Sequence, residues 1–193
     1  CDRRQRQMCI RDRSYSIMPD RIEAGTLLCA VAITGGKVKL NKVIPEHINQ
    51  ILNKLEQTGC EIKIENKCVC LKAPKKIKAV DIKTMPYPGF PTDMQSVFAS
   101  ILTIAKGNSV IVENIFENRY KYVSELKRMG AKITVEGRIA VIKGCKKLSG
   151  ATVESTDLRG GAALVVAGLV AKGTTTVNKI GSVSYTHLTL PTI

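Results

Sequence analysis

Hydrophobic positions along the chain follow two patterns, and each pattern occurs more than once. Between Pro45 and Leu71, apolar residues three and four positions apart predict an amphipathic helix, a stop at Gly59 and two alternating strands. The segment Tyr120 to Lys143 repeats this order, with its stop at Gly130 and a turn predicted at Glu136-Gly137. Because each of these helices has one polar face, we expect both to lie near solvent.

A second kind of helix is built from small and apolar residues, and a glycine and a strand follow it. Three segments show this pattern: Ala24–Thr34, Asp93–Ala105 and Asp157–Ala171. Their apolar residues lie nearly all round the helix, which is typical of a fully buried helix. We therefore expect these three helices at the centre of the fold.

The two patterns alternate with a fixed spacing. Gly36 to Gly59 and Gly107 to Gly130 are both 23 residues, and the two pairs are 71 residues apart. The chain is therefore interpreted as an α/β repeat of helix–strand–helix–strand–strand units. The units cover residues of about 20–73, 90–144 and 156–180, within a partial domain over 14–180, and the third unit is expected to be truncated.

The two ends do not share this pattern. Residues 1–13 contain five Arg and two Asp without apolar periodicity, and residues 181–193 contain no Lys, Arg, Asp or Glu. Both resemble translated sequencing-adapter sequence. We expect a non-native leader at 1–13 and a non-native tail at 181–193, and neither enters the fold prediction.

Composition narrows the classes of function. The net charge is +14, but the lysines are scattered, aromatic residues make up only 4% and tryptophan is absent. This favours small anionic substrates over nucleic acid as the partner. No apolar run reaches the ~20 residues of a membrane span. The seven cysteines are odd in number and lack paired C-x-x-C motifs, so we expect reduced, mostly buried thiols, no metal and no cofactor.

Each of the three buried helices begins with charged residues. Two interpretations stay open: the acids cap the helices, or the converging helix starts form an anion site with nearby arginines. The arginines could equally pair with neighbouring acids, among them Glu117. The candidates are Asp20, Arg21, Arg119, Asp157 and Arg159.

The hexapeptide Phe90–Gln95 places one acid where a proline-rich segment meets a predicted helix, Met94–Ala105. Thr92 or Asp93 could cap that helix, or the carboxylate of Asp93 could be a reactive group at the mouth of a cleft. Phe116 follows a predicted strand, where it could belong to the core or flank a ligand ring.

Five segments carry a resemblance to a known family: Pro19–Thr26, Phe90–Gln95, Phe116–Arg119, Arg128–Ala131 and Leu148–Arg159. Together they resemble the UDP-N-acetylglucosamine 1-carboxyvinyltransferases, a branch of the EPSP synthase/enolpyruvyl transferase family. The resemblance is co-linear over 14–180. It implies an inside-out α/β barrel built from βαβαββ repeats, with this chain as one domain of two.

The resemblance also implies an activity. Such an enzyme transfers the enolpyruvyl group of phosphoenolpyruvate to the 3-hydroxyl of UDP-N-acetylglucosamine, the first committed step of peptidoglycan synthesis. It would work in the bacterial cytoplasm and serve cell-wall biogenesis, cell shape and cell division. By the family pattern Asp93 is the catalytic base, while Thr92, Ile115 and Phe116 help to position the UDP-sugar. Five charged residues match cleft-lining positions: Asp20, Arg21, Arg119, Asp157 and Arg159.

The chain departs from the family pattern in two respects. We expect it to lack the N-terminal domain, with the loop that carries the reactive cysteine and further phosphoenolpyruvate-binding groups, and a C-terminal segment with another phosphoenolpyruvate-binding arginine. None of the seven cysteines matches that loop, so we expect the isolated chain to be inactive. Two alternatives stay open: an enzyme like 3-phosphoshikimate 1-carboxyvinyltransferase, or a non-enzymatic basic repeat domain that binds nucleic acid.

Overall fold

The structure is a computed structural model, and it describes residues 16–182. The predicted leader, and the predicted tail apart from Gly181 and Ser182, lie outside the described residues. The five α-helices of this part are α1 Arg21–Thr34, α2 Pro45–Gln57, α3 Gln95–Leu102, α4 Tyr122–Arg128 and α5 Leu158–Gly168. Short 3-10 turns occupy Thr92–Met94 and Ile180–Ser182. The strands are β1 Lys37–Leu40, β2 Glu61–Glu65, β3 Cys68–Lys72, β4 Ile82–Lys83, β5 Asn108–Val112, β6 Lys132–Glu136, β7 Ile139–Lys143, β8 Thr152–Glu154 and β9 Thr176–Asn178.

The three small-residue helices pack together at the centre of the fold, as their composition predicts. Helix α3 lies between α1 and α5, and all eight of its residues are buried. The helices α2 and α4 turn one apolar face inwards, with Ile51, Leu55 and Leu126 fully buried. One continuous apolar core joins the central helices to the sheets.

Two of the central helices are shorter than predicted. Helix α3 ends at Leu102 and α5 ends at Gly168, whereas the apolar pattern continues to residues 105 and 171. After each helix the chain turns to bond a neighbouring segment: Lys106 N donates to the Ile77 carbonyl at 2.7 Å, and Lys172 N donates to the Leu148 carbonyl at 2.9 Å. These bonds take the place of a further helical turn.

The sheets confirm the 71-residue period. In the first sheet, of order β1-β3-β2, Lys37 and Glu61 both lie opposite Lys72. In the second sheet Asn108 and Lys132 both lie opposite Lys143, so each pairing is displaced by 71 positions. The tight turn between β6 and β7 falls at Gly137-Arg138, one residue later than predicted.

The predicted glycine stops are also confirmed. Gly59 and Gly130 have φ angles of +100° and +91°, a left-handed conformation that glycine adopts without steric cost. Cys60 N and Ala131 N each donate to the carbonyl five residues earlier, at 3.1 and 3.0 Å. The amphipathic helices α2 and α4 therefore end in the same way.

The strands β4 and β8 were not predicted from the hydrophobic pattern. Each precedes a central helix and pairs in parallel with the strand after that helix, β4 with β5 and β8 with β9. Strands of two and three residues are too short to show a periodic pattern. With β4, the second unit reads βαβαββ and its sheet has the order β4-β5-β7-β6, as the family resemblance implies.

Five of the seven cysteines fall in the described residues, and all five are free thiols. Cys29 and Cys60 are buried, whereas Cys68, Cys70 and Cys145 are half-buried. Burial raises the pKa of the Cys29 thiol far above its ordinary value, and burial likewise raises the pKa of the Cys60 thiol. Neither of these two thiols is poised as a nucleophile.

Candidate functional site

The carboxylate of Asp93 is held by two arginines. Arg119 Nη2 donates to Asp93 Oδ1 at 2.7 Å, and Arg159 Nη2 donates to Asp93 Oδ2 at 3.0 Å. The Asp93 side chain keeps 39% of its surface exposed, and the two arginine side chains keep 20% and 23%. Neither oxygen bonds a backbone N–H of the helix that follows. Asp93 is therefore not a helix cap, and the capping interpretation of this acid is wrong.

The packing of α3 against α5 brings the charged groups together. Ser96 Oγ donates to the Arg159 carbonyl at 2.9 Å, and one turn later Ser100 Oγ donates to the Ala163 carbonyl at 2.7 Å. The equal steps of four residues show that the two helices run parallel and start at the same level. Asp93 lies one turn before Ser96, so it faces the first turn of α5, where Arg159 is located.

The other two acids behave as helix caps. Asp20 Oδ1 accepts hydrogen bonds from the backbone N–H groups of Ile22 and Glu23 at 2.7 and 3.3 Å. Asp157 Oδ1 accepts them from Arg159 and Gly160 at 3.0 and 2.7 Å. For these two residues the capping interpretation agrees with the geometry.

The alternative that the arginines pair with neighbouring acids is wrong within residues 16–182. None of Arg21, Arg119 and Arg159 forms an ion pair there with Asp20, Glu117 or Asp157. Glu117 lies 3.3 Å from a nitrogen of Arg138 instead. Arg21 lies over the ring of Tyr87, with 5.8 Å from its guanidinium carbon to the ring centre, and Arg119 lies over Phe116 at 5.2 Å. Cation–π contacts thus orient two of the three arginines.

A cleft of about 220 Å³ opens beside Asp93. Thr92 and Asp93 line it together with Ile115, and the loop with Tyr87 and the Arg21 side chain completes it. Ile115 is 36% exposed, and Phe116 next to it is 49% exposed. The exposure of Phe116 contradicts its interpretation as a core residue. The structure thus brings Arg21, Thr92, Asp93, Ile115, Phe116, Arg119 and Arg159 to one surface.

Sequence reasoning missed Glu113 and Tyr87. Glu113 is fully buried, and Thr92 Oγ1 donates to its Oε2 at 2.9 Å. An acid at the end of the apolar segment Val110–Val112 was the available signal. Tyr87, 65% exposed, lies in a proline-rich loop without a periodic pattern.

Three further polar side chains, which do not line the cleft, are buried or half-buried. Gln95, the last residue of the hexapeptide, is fully buried, and in the described part of the chain neither amide atom has a hydrogen-bond partner. Burial raises the pKa of Tyr120 to about 12, and burial raises the pKa of Tyr122 well above its ordinary value. Both tyrosines are therefore neutral at physiological pH.

The described residues contain neither a candidate metal site nor a helix that could cross a membrane. Between residues 16 and 182, no group of three or more His, Cys, Asp or Glu side chains could hold a metal ion. Over the same range, every helix is too short or too polar to cross a membrane.

Comparison with known families gives a match over nearly the whole chain. The sequence profile of the family described as EPSP synthase (3-phosphoshikimate 1-carboxyvinyltransferase) matches residues 5–191, a range that includes most of both end segments. Within the curated proteins, a UDP-N-acetylglucosamine 1-carboxyvinyltransferase of Trichlorobacter lovleyi is 57% identical over 167 residues. That alignment covers 86% of this chain and 40% of the relative. A protein of the same name from Desulfofundulus thermocisternus is 54% identical, over 89% of this chain and 70% of the relative.

Solved structures show the same fold at low sequence identity. The enolpyruvyl transferase NikO from Streptomyces tendae superposes with a TM-score of 0.74 at 23% identity, over 87% of this chain and 40% of that one. An EPSP synthase from Acinetobacter baumannii superposes with a TM-score of 0.64 at 20% identity, over 84% and 40%. The chain thus spans about 40% of the length of most of these proteins.

Proposed function

The chain belongs to the EPSP synthase family of enolpyruvyl transferases, and from this premise we propose that it forms the UDP-sugar side of a UDP-N-acetylglucosamine 1-carboxyvinyltransferase. The proposed reaction transfers the enolpyruvyl group of phosphoenolpyruvate to the 3-hydroxyl of UDP-N-acetylglucosamine. The hydroxyl gives its proton to Asp93, its oxygen bonds C2 of phosphoenolpyruvate, and the bond between C2 and the phosphate oxygen breaks. Inorganic phosphate leaves and takes up the proton. We place the enzyme in peptidoglycan synthesis in the bacterial cytoplasm, in the service of cell shape and cell division.

The observation that carries this proposal is the carboxylate of Asp93. Its oxygens each accept one guanidinium N–H, yet a carboxylate offers about four acceptor positions in all. Because Asp93 lines the cleft, the remaining positions can accept the proton of a substrate hydroxyl. A general base must lie within hydrogen-bond reach of its proton, and a half-exposed acid on a cleft wall meets that condition.

The two arginines give the site a positive charge. With one anion between two cations, the group Arg119–Asp93–Arg159 keeps one net positive charge. Guanidinium groups suit forked contacts with phosphate and carboxylate, the two anionic parts of phosphoenolpyruvate. The same pairs fix the orientation of the Asp93 carboxylate before any substrate arrives.

The size of the cleft supports the proposal that this chain supplies one wall of the complete site. Ligand pockets of ordinary size enclose about 300–1,000 Å³. The cleft beside Asp93, at about 220 Å³, is too small to enclose a nucleotide sugar. We propose that Thr92, Ile115 and Phe116 position the sugar nucleotide and that the N-terminal domain of the same enzyme closes over it.

From this follows a test of the chain by itself. We propose that the groups which the family places on the other domain, among them its reactive cysteine, are needed for turnover. We expect no phosphate release above background when the purified chain is given both substrates. Clear turnover would contradict the proposal that a second domain is required.

The 3-phosphoshikimate alternative is the weaker candidate. The curated relatives named for UDP-N-acetylglucosamine are 52–57% identical, whereas the EPSP synthase structures are 19–20% identical. Calorimetric titration of the chain with UDP-N-acetylglucosamine and with shikimate 3-phosphate separates the two. Preference for the second ligand would overturn the proposed substrate. Nucleic-acid binding, the other alternative, would show an affinity that falls steeply with salt.

The origin of the two end segments is also a matter of proposal. We propose that residues 1–13 and 181–193 are non-native and that residues 14–180 form the partial transferase domain. Resequencing the source DNA across both junctions decides this, since native coding sequence at both positions would contradict it.

A further inference from the structure

Glu113 is a buried acid without a cationic partner among residues 16–182. It follows β5 directly and has no exposed surface. Its Oε1 accepts hydrogen bonds from Thr84 Oγ1 at 2.8 Å, Ile115 N at 2.9 Å and Phe116 N at 3.2 Å. Its Oε2 accepts one from Thr92 Oγ1 at 2.9 Å. A buried carboxylate is tolerated only when hydrogen bonds replace its water, and these four donors do so.

The four donors come from three separate segments that meet at the cleft. Thr84 follows β4, Thr92 begins the 3-10 turn before α3, and Ile115 and Phe116 form the loop after β5. Three of the four donors belong to residues proposed to position the sugar nucleotide. Glu113 lies behind them and does not line the cleft.

The geometry points to Glu113 as a positioning residue for the UDP-sugar, an inference that rests on the proposed function. It joins the two strips of chain that form the sugar-binding wall, the turn of Thr92 and the backbone of Ile115 and Phe116. A neutral side chain here would release both strips. Loss of Glu113 therefore acts on substrate binding through Thr92 and the loop.

Glu113 also fixes which way the Thr92 hydroxyl can bond. A threonine hydroxyl has one proton to donate, and Thr92 gives it to Glu113. Only the oxygen lone pairs of Thr92 are then free to bond a ligand. The Thr92 hydroxyl therefore accepts a hydrogen bond from a hydroxyl or amide N–H of the sugar and does not donate one.

The test uses Glu113→Gln in a chimera in which residues 16–180 replace the matching part of the Trichlorobacter lovleyi relative, so that the complete site is present. Glutamine keeps the shape of the side chain but removes the charge and one acceptor oxygen. We expect UDP-N-acetylglucosamine to bind about tenfold more weakly by calorimetry. By hydrogen-exchange mass spectrometry or NMR, the amides of Ile115 and Phe116 should exchange about tenfold faster.

The matched control is Ser109→Ala. Ser109 is fully buried in β5, and its Oγ accepts a hydrogen bond from Val80 N at 3.1 Å away from the cleft. This control should bind the UDP-sugar as the unsubstituted chimera does. If Glu113→Gln does not fold, Thr84→Val removes one donor to the same carboxylate and should weaken binding in the same direction.

The outcomes separate the inference from the proposed function. Unchanged binding in folded Glu113→Gln, or in Thr84→Val when the glutamine variant does not fold, overturns the inference and leaves the proposed function standing. Equal loss in Ser109→Ala also overturns it, since the effect would then be general destabilisation. Failure of the unsubstituted chimera to bind UDP-N-acetylglucosamine overturns the proposed function first and the inference with it.

Discussion

Replacing Asp93 by asparagine separates a catalytic base from a structural acid. Asparagine caps helices about as well as aspartate, so a mere cap would tolerate the change. The structure predicts otherwise. The asparagine side chain has one oxygen, which can keep only one of the bonds to Arg119 and Arg159, now 2.7 and 3.0 Å long. Its NH₂ group would face the other guanidinium, donor against donor.

The expected loss of stability is modest. Exposed ion pairs contribute about 0.2–1 kcal/mol and breaking a buried pair costs about 3–5 kcal/mol. Here the three side chains are 20–39% exposed, so we expect a loss near the exposed end, about 1 kcal/mol. For a chain of this length, that corresponds to a decrease in Tm of about 2–4 °C. Differential scanning fluorimetry of the chain measures it.

The expected loss of activity is much larger. A positioned general base contributes about 10²–10⁴ in rate, so kcat should fall by at least 10². The assay uses a chimera in which residues 16–180 replace the matching part of the Trichlorobacter lovleyi relative, which is 57% identical. The KM for phosphoenolpyruvate should not rise, because loss of one negative charge leaves the arginines more available to it.

The control is Asp81→Asn in the same chimera. Asp81 Oδ1 accepts a hydrogen bond from Val110 N at 2.8 Å, and the side chain is exposed and does not line the cleft beside Asp93. This variant should keep full turnover. A kcat for Asp93→Asn within threefold of the parent chimera would refute the role of Asp93 as the base.

Three further predictions concern stability and reactivity. Gly160→Ala should lower the free energy of unfolding, measured in urea, by about 1–3 kcal/mol, because a Cβ at Gly160 would lie 3.1 Å from Tyr122 Cβ. The control Gly36→Ala, where the nearest atom would lie at 3.5 Å, should lose no stability. The Tyr120 phenol contributes stability that is fully present below pH 10 and is lost as the pH rises towards 12, because burial raises its pKa to about 12 in the folded state. Tyr120→Phe should flatten that part of the urea-derived stability curve, and an unchanged curve would contradict the assignment. Cys29 should react with iodoacetamide at pH 8 only when the chain unfolds, since burial raises its pKa; peptide mass spectrometry that finds it labelled in the native chain would refute this.

The elements that repeat were predictable from sequence, because their signal is periodic. Gly59 and Gly130 each mark the end of a helix, and branched apolar residues at fixed distances after them mark a strand. Neither signal needs any tertiary information. The strands β4 and β8 carry no such signal. Each of them forms only because it pairs with the strand that follows the next central helix, β4 with β5 and β8 with β9. Such a pairing is a tertiary contact.

The candidate site was predictable as a set of residues but not as a set of contacts. Charge at the helix starts indicated that acids and arginines would meet. Which acid pairs with which arginine depends on the parallel packing of α3 and α5, which Ser96 and Ser100 fix through backbone carbonyls 63 positions away. Glu113 was missed for the same reason, since its partners lie up to 29 residues away in sequence.

The difference between Asp93 and the other two acids begins in the backbone. Asp20 and Asp157 each stand at the N-cap of an α-helix, where their extended backbone directs the carboxylate at the first free N–H groups. Before α3 the chain passes through a 3-10 turn, Thr92–Met94, whose N-cap is Pro91, and the N-cap of α3 itself is Met94. Gln95 N, which lies two residues after Asp93 and which a capping carboxylate would bond, donates to the Thr92 carbonyl instead. The carboxylate of Asp93 is thereby left free for the two arginines and for the cleft.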